Sequence, residues 1–104
     1  MDIEYEYSNE KNILLKEQRG ISFEEIIFYI NNGCLIDTIK HHNKAKYDSQ
    51  EFYVVDVEGY IYLVPFVKQA SKIFLKTIFP SRKHTKKYLA ELNTRRKHHA
   101  KKEI

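Results

Sequence analysis

A single cysteine, Cys34, stands in this chain of 104 residues. No intrachain disulfide can form, and a zinc site built from several cysteines is excluded. Tryptophan is absent, and there are only two prolines and three glycines, which rules out collagen-like and linker-like sequences. No apolar run approaches the roughly 20 residues of a membrane-spanning helix. The opening residues, MDIEYEYSNE, are acidic, unlike the basic start of a secretory signal. Together these absences lead us to expect a reducing, cytoplasmic setting and no membrane partner. The GxGxxG, P-loop, GxSxG and HExxH patterns are also missing, so nucleotide-cofactor enzymes and zinc peptidases have no support. His41-His42 and His98-His99 are adjacent pairs, whose side chains diverge on a helix or a strand. We therefore expect no metal and no cofactor. Cys34, beside a helix end among apolar residues, reads as a structural thiol rather than a nucleophile.

What is present suits a folded domain. Hydrophobic residues make up 42% of the chain and charged residues 31%, with eight Tyr and six Phe to bury. The length allows one domain. Charge is unevenly spread along it. Residues 81–104 hold nine Lys/Arg against two acids, whereas the first 80 hold nine against twelve acids. A basic C-terminal element on a mildly acidic body points to a polyanionic partner, nucleic acid first among them. The plain alternative is a solvated helix end whose cations suit the dipole.

Alternation of Ile3, Tyr5 and Tyr7 with Glu4 and Glu6 predicts a half-buried strand. Residues 10–18 read as a helix resting on Ile13 and Leu14 and stopped by Gly20. Ser22 and Glu25 form a capping box, with Ile21 and Ile26 as its hydrophobic staple. The helix they start is apolar on most sides and ends at Asn31-Asn32-Gly33. Residues 34–39 read as a short extended or irregular stretch, and 41–50 (HHNKAKYDSQ) as a polar loop. Residues 51–57 and 60–67 then read as strands joined by Glu58-Gly59 in a tight hairpin. Pro65 demands a bulge or an open edge. A third strand covers 72–79, completing an antiparallel three-strand meander. Ser81 caps a last helix reaching Asn93, docked by Tyr88, Leu89 and Leu92. The order implies an α+β domain over 1–93, with the helices on one face of the sheet and a basic, mobile tail over 94–104.

Cleavage of RNA through its 2′-hydroxyl needs a base, a cation on the scissile phosphate and an acid for the leaving 5′ oxygen. His41, Lys46 and Tyr47 in the loop, Lys76 on the strand, and Arg82, Lys83, Lys86, Lys87 and Tyr88 afterwards are of the right types. The loop residues read equally well as solvated. Lys76, sharing a face with Phe74 and Ile78, either snorkels to the sheet margin or enters a cleft. Tyr88 is also the helix's main packing aromatic. Arg82 and Lys83 open a helix, where the dipole opposes cations unless an anion binds.

The opening YEYSNEKNILLKEQRGISFEEI resembles the start of BrnT-type toxins, small ribonucleases of the RelE/ParE superfamily. In these, a strand and an Asn/Lys-rich helix lead to a His-Gly-Ile-Ser-Phe-like turn, here Arg19 to Phe23. The segment KTIFPSRKHTKKY resembles the family's Ile-Ser-Ala-Arg-x-Ala-Thr-Lys-Lys stretch, with Arg82 on its Arg and Thr85 on its Thr. The chain departs from the family at Arg19 (for His), at Glu51-Phe52-Tyr53 (for Glu-x-Arg), at Thr77 (for Arg) and at Tyr88 (for Glu). The resemblance implies a RelE-like fold and the toxin half of a type II toxin–antitoxin pair, partnered by an adjacently encoded antitoxin. It implies metal-independent cleavage of RNA, with Arg82 and Lys76 on phosphate. Proton transfer then falls to His41 or Tyr47. Lys46, Lys83, Lys86 and Lys87 would add RNA contacts. The alternative is a non-catalytic RNA- or protein-binding module that uses the basic C-terminal helix.

Overall fold

A computed structural model describes residues 3–41 and 50–94, with the side chains of His41 and Gln50 left aside. The first helix, α1 (Asn9–Arg19), begins at Ser8, whose hydroxyl accepts from the Lys11 N–H at 3.2 Å. Gly20 closes it at φ 66°, a left-handed position that costs residues with a Cβ about 1–2 kcal/mol. α2 (Phe23–Tyr29) starts with the expected capping box: Glu25 N donates to Ser22 Oγ at 3.1 Å, and Ser22 N to Glu25 Oε1 at 3.0 Å. Ile21 and Ile26 are buried as the staple requires. A kinked turn, Ile30–Cys34, then carries the chain to the sheet through Gly33 at φ 83°.

The contacts of α1 correct the sequence reading. Ile13 and Leu14 are 56% and 46% exposed; Asn12 and Leu15 are the buried residues. An amide on the inward stripe is unexpected until its partners are seen. Asn12 Oδ1 accepts from Phe23 N at 2.7 Å, and Asn12 Nδ2 donates to Glu24 Oε1 at 3.0 Å. The first N–H groups of a helix lack partners within it, and Asn12 satisfies one of them while joining the two helices.

Six strands form one mixed sheet: β1 (Glu4–Glu6), β2 (Leu35–His41), β3 (Gln50–Val57), β4 (Tyr60–Gln69), β5 (Lys72–Leu75) and β6 (Phe79–Pro80). Their order is β1-β5-β4-β3-β2, with β6 also beside β4. β1 runs parallel to β5, and the other pairs are antiparallel. The β3–β4 hairpin turns at Glu58 (φ 53°) and Gly59 (φ 90°), the two positive angles of a type I′ turn. The expected meander is thus β3-β4-β5. The stretch read as short and either extended or irregular forms the edge strand β2, whose pairing with β3 shifts between Leu35 and Asp37.

The expectation that all helices share one face is overturned. Tyr53, Val55, Val64 and Phe66 face α1 and α2. Val54, Ile61 and Leu63 point the other way and pack with Leu92 and Tyr88 of the C-terminal helical segment. Both parities of β3 and β4 are therefore apolar, as in a sheet covered on both sides.

Replacing Asn12 by Ala should lower stability by about 1–3 kcal/mol, because Phe23 N loses its acceptor inside the fold. Ile13→Ala should stay within about 0.5 kcal/mol, as exposed substitutions do. Urea denaturation of the two variants compares them directly, and equal losses would refute the assignment of the inward face.

Candidate nucleic-acid interface

After β6 the chain enters α3 (Arg82–Lys87), turns at Tyr88 and is helical again over 89–94. No residue of α3 is buried, and six residues are too few to hold a helix in water unaided. One hydroxyl and the backbone fasten it to the sheet instead. Ser81 N donates to the Ile61 carbonyl at 2.9 Å. Ile61 N donates to Thr85 Oγ1 at 2.9 Å, and Thr85 Oγ1 donates in turn to the Ser81 carbonyl at 2.7 Å. Both backbone groups of Ile61 are thereby engaged by the start of α3.

At 100° per residue, Arg82, Lys86, Lys83 and Lys87 fall within an arc of about 140°, away from Thr85. All four are exposed. They stand as like-charged pairs at i, i+4, each unfavourable by about 0.2–0.5 kcal/mol. Among the described residues none of the four is in an ion pair; the pairs found, Lys16–Glu24 and Lys72–Glu6, lie elsewhere. Lys87 Nζ sits 5.6 Å from the centre of the Tyr88 ring. Tyr88 itself packs on the second core, and its hydroxyl donates to Asp37 Oδ2 at 3.0 Å. Burial and the Asp37 carboxylate push this phenol up, so Tyr88 is a neutral packing group. The turn at Tyr88 rotates the following helix, which leaves Leu89 52% exposed and makes Leu92 the anchor.

The candidate residues divide between two ends of the sheet. Arg82, Lys83, Lys86 and Lys87 are brought together beside the start of β4. Lys76 N donates to the Pro65 carbonyl at 2.8 Å, four residues along β4 from Ile61, or about 13 Å of strand. Lys76 is exposed, and Ile78 does not share its face: Ile78 is buried in the α1–α2 core, because 76–78 leave the strand and reset its alternation. His41 pairs in register with Gln50, the neighbour of Glu51, which pairs with Phe66. That places His41 three strands from β5 and β6, and ~20 Å along β4 from Ile61. The structure does not bring it to the α3 cations. Lys46 and Tyr47 lie outside the described residues, as does the tail after Thr94, whose hydroxyl donates to the Ala90 carbonyl at 3.0 Å.

One residue at this end went unremarked in the sequence. His84 Nδ1 lies 2.7 Å from Ser81 Oγ, and His84 N donates to the same oxygen at 3.2 Å. The half-buried ring is held below the usual imidazole range by burial and by Lys87 and Lys83. Ser81-x-x-His84 has N-cap-to-N3 spacing, a signal legible beforehand. At the other end of α1, the Arg19 guanidinium donates to the Ile78 carbonyl. Cys34 is half-buried, with Sγ 4.0 Å from the Asn32 carbonyl. Among the described residues no three of His, Cys, Asp and Glu gather as a metal site, and no helix is long and apolar enough to cross a membrane. No family model, no curated protein and no solved structure matches the chain.

Thr85→Val keeps the side-chain volume but removes the acceptor of Ile61 N. It should cost about 1–3 kcal/mol. A melting temperature within a degree of wild type would show that the helix is held by other means.

Proposed function

We propose that this chain is the toxin component of a type II toxin–antitoxin pair, a RelE-like α+β protein that cuts RNA without a metal. The observation that carries the reading is the cationic arc of α3: four exposed cations crowded on one short helix, in the segment that resembles the family's Arg-x-Ala-Thr-Lys-Lys stretch. Mutual repulsion makes that placement unfavourable unless an anion offsets it. The two segments that carry the resemblance also meet, through the bond from Arg19 to the Ile78 carbonyl. The element order supports it too: a strand, two helices, an antiparallel meander and a C-terminal helix. In this reading Arg82 and its neighbours bind phosphate, and the protein acts in the cytoplasm against RNA until its antitoxin covers it. The same arc would also serve a module that binds RNA without cutting it.

Purified protein incubated with labelled RNA in EDTA separates the two. Fragments ending in 2′,3′-cyclic phosphate support the nuclease, and shifted but intact RNA supports the module. Arg82→Ala should reduce cleavage about ten- to a hundredfold, the loss of a charge-assisted contact of ~1.5–3 kcal/mol. Its melting temperature should hold, because Arg82 is exposed. Unchanged cleavage would place the phosphate site elsewhere. In a bacterium, inducing the chain alone should slow growth and co-expressing the adjacent gene should restore it. Normal growth at confirmed soluble expression would count against the toxin reading.

A further inference from the structure

Of the three Ser-capped helices among the described residues, α2 and α3 invite a comparison. At Ser22 the cap is closed by its N3 side chain: Glu25 Oε1 accepts from Ser22 N at 3.0 Å. At Ser81 that backbone N–H is already given to the Ile61 carbonyl, so no main-chain donor waits for the side chain of residue 84. The hydroxyl of Ser81 likewise caps through the backbone N–H of residue 84, which any amino acid but proline supplies. The imidazole of His84 is surplus to capping. An acid at N3 would have relieved the repulsion among Arg82, Lys83, Lys86 and Lys87. The chain instead has a titratable ring there, 2.7 Å from Ser81 Oγ, and in the segment's resemblance this position corresponds to an alanine. Among the described side chains it is the one imidazole, and it sits on the helix that bears the cations.

We infer that His84 is the proton-transfer residue of the site, taking the 2′-hydroxyl proton of an RNA whose phosphate lies on the α3 cations. The assignment rests on the nuclease reading above and replaces His41, which the register places about 20 Å away along the strand. With Nδ1 protonated and donating to Ser81 Oγ, the lone pair of Nε2 accepts the proton. The 2′ oxygen then bonds to phosphorus and the bond from phosphorus to the 5′ oxygen breaks. The 5′ oxygen leaves as a hydroxyl by taking a proton from water, and the hydroxide so formed recovers the proton from His84. Cyclic phosphate and a 5′-hydroxyl end are the products, with no redox partner required. The base must be neutral to act, and burial, Lys87 and Lys83 favour that form. β4, the strand packed under α3, turns the apolar Ile61 and Leu63 to that side while Tyr62 packs in the α1–α2 core, and Asp37 of β2 accepts from the Tyr88 hydroxyl. The acids of the adjoining turn are occupied, Asp56 by Gly59 N and Glu58 by the Tyr29 hydroxyl.

The test measures initial cleavage rates of a labelled RNA oligonucleotide from pH 4 to 8 in EDTA, for the full chain and for His84→Gln. Wild type should lose activity towards acid, with an inflection below the ordinary 6.5 of imidazole. The variant should be slower by about a hundredfold or more, lack that inflection, bind RNA within twofold of wild type and recover rate in added imidazole. Cleavage by the variant at the wild-type rate overturns the assignment while leaving the nuclease reading intact. A wild type that shifts RNA without cutting it overturns both. Should His84→Gln fail to fold, the wild-type profile decides: a rate flat from pH 4 to 8 overturns the role, and an acid limb below 6.5 supports it.

Discussion

A proline in the middle of the central strand governs the layout. Pro65 lies within β4, opposite Phe52 of β3, and its carbonyl accepts from Lys76 N on the other side. The N and O of a strand residue point the same way, so the missing N–H of Pro65 falls on the β5–β6 side. A continuous strand there would present a carbonyl with no donor. The neighbour is in fact interrupted: β5 stops at Leu75, residues 76–78 are irregular, and β6 resumes at Phe79. The interruption also resets which residues face inward. Ile73, Leu75 and then Ile78 face α1 and α2, whereas Phe79 packs with Phe52 on the far side at 6.4 Å between ring centres. The chain then enters α3 on that far side. Position 65 thus decides where the basic helix begins.

Polar groups drawn into the interior are matched, and the matching ties elements together. Asn12 joins α1 to the first turn of α2, and Arg19 reaches the carbonyl of Ile78 within the interruption beside Pro65. Among the described residues no buried side-chain nitrogen or oxygen lacks a partner. Leaving one unmatched would cost more than a typical bond contributes, so these few polar contacts fix register where apolar packing alone tolerates slippage. The aromatics fill the remaining volume: Tyr53 stacks on Phe66 at 4.0 Å and Tyr7 on Phe23 at 4.8 Å. Burial pushes the Tyr53 phenol up to about 12, which keeps it neutral within the core.

Local chemistry was legible wherever the signal was local. The capping box at Ser22, the stop at Gly20, the Glu58-Gly59 turn and the disturbance at Pro65 each follow from a few adjacent residues. The inward face of α1 did not, because Asn12 is chosen by a donor eleven residues away rather than by hydrophobic spacing. The second face of the sheet was written in residues 53–55 and 61–64, where successive residues are apolar, whereas the order of elements alone suggested helices on one side. The candidate site was half legible. Composition located the cations of α3, but sequence order suggested a nearness of His41 and Arg82 that strand register denies.

The site and the fold also differ in how they are held, and the difference bears on function. The two cores rest on apolar area, whereas α3 buries no residue and hangs on Ser81, Thr85 and the backbone of Ile61. A helix attached by apolar packing would have to spend a face on Leu and Ile. One attached by a hydroxyl and a main-chain N–H leaves most of its circumference to other residues, here Arg82, Lys83, Lys86 and Lys87. Their repulsion is borne by those few hydrogen bonds, each worth about 1 kcal/mol net. An anion on the arc would remove the repulsion and stabilise the helix in the same step, so binding and local order are coupled through α3. A short helix of this kind is poorly suited to holding a domain together and well suited to reading charge.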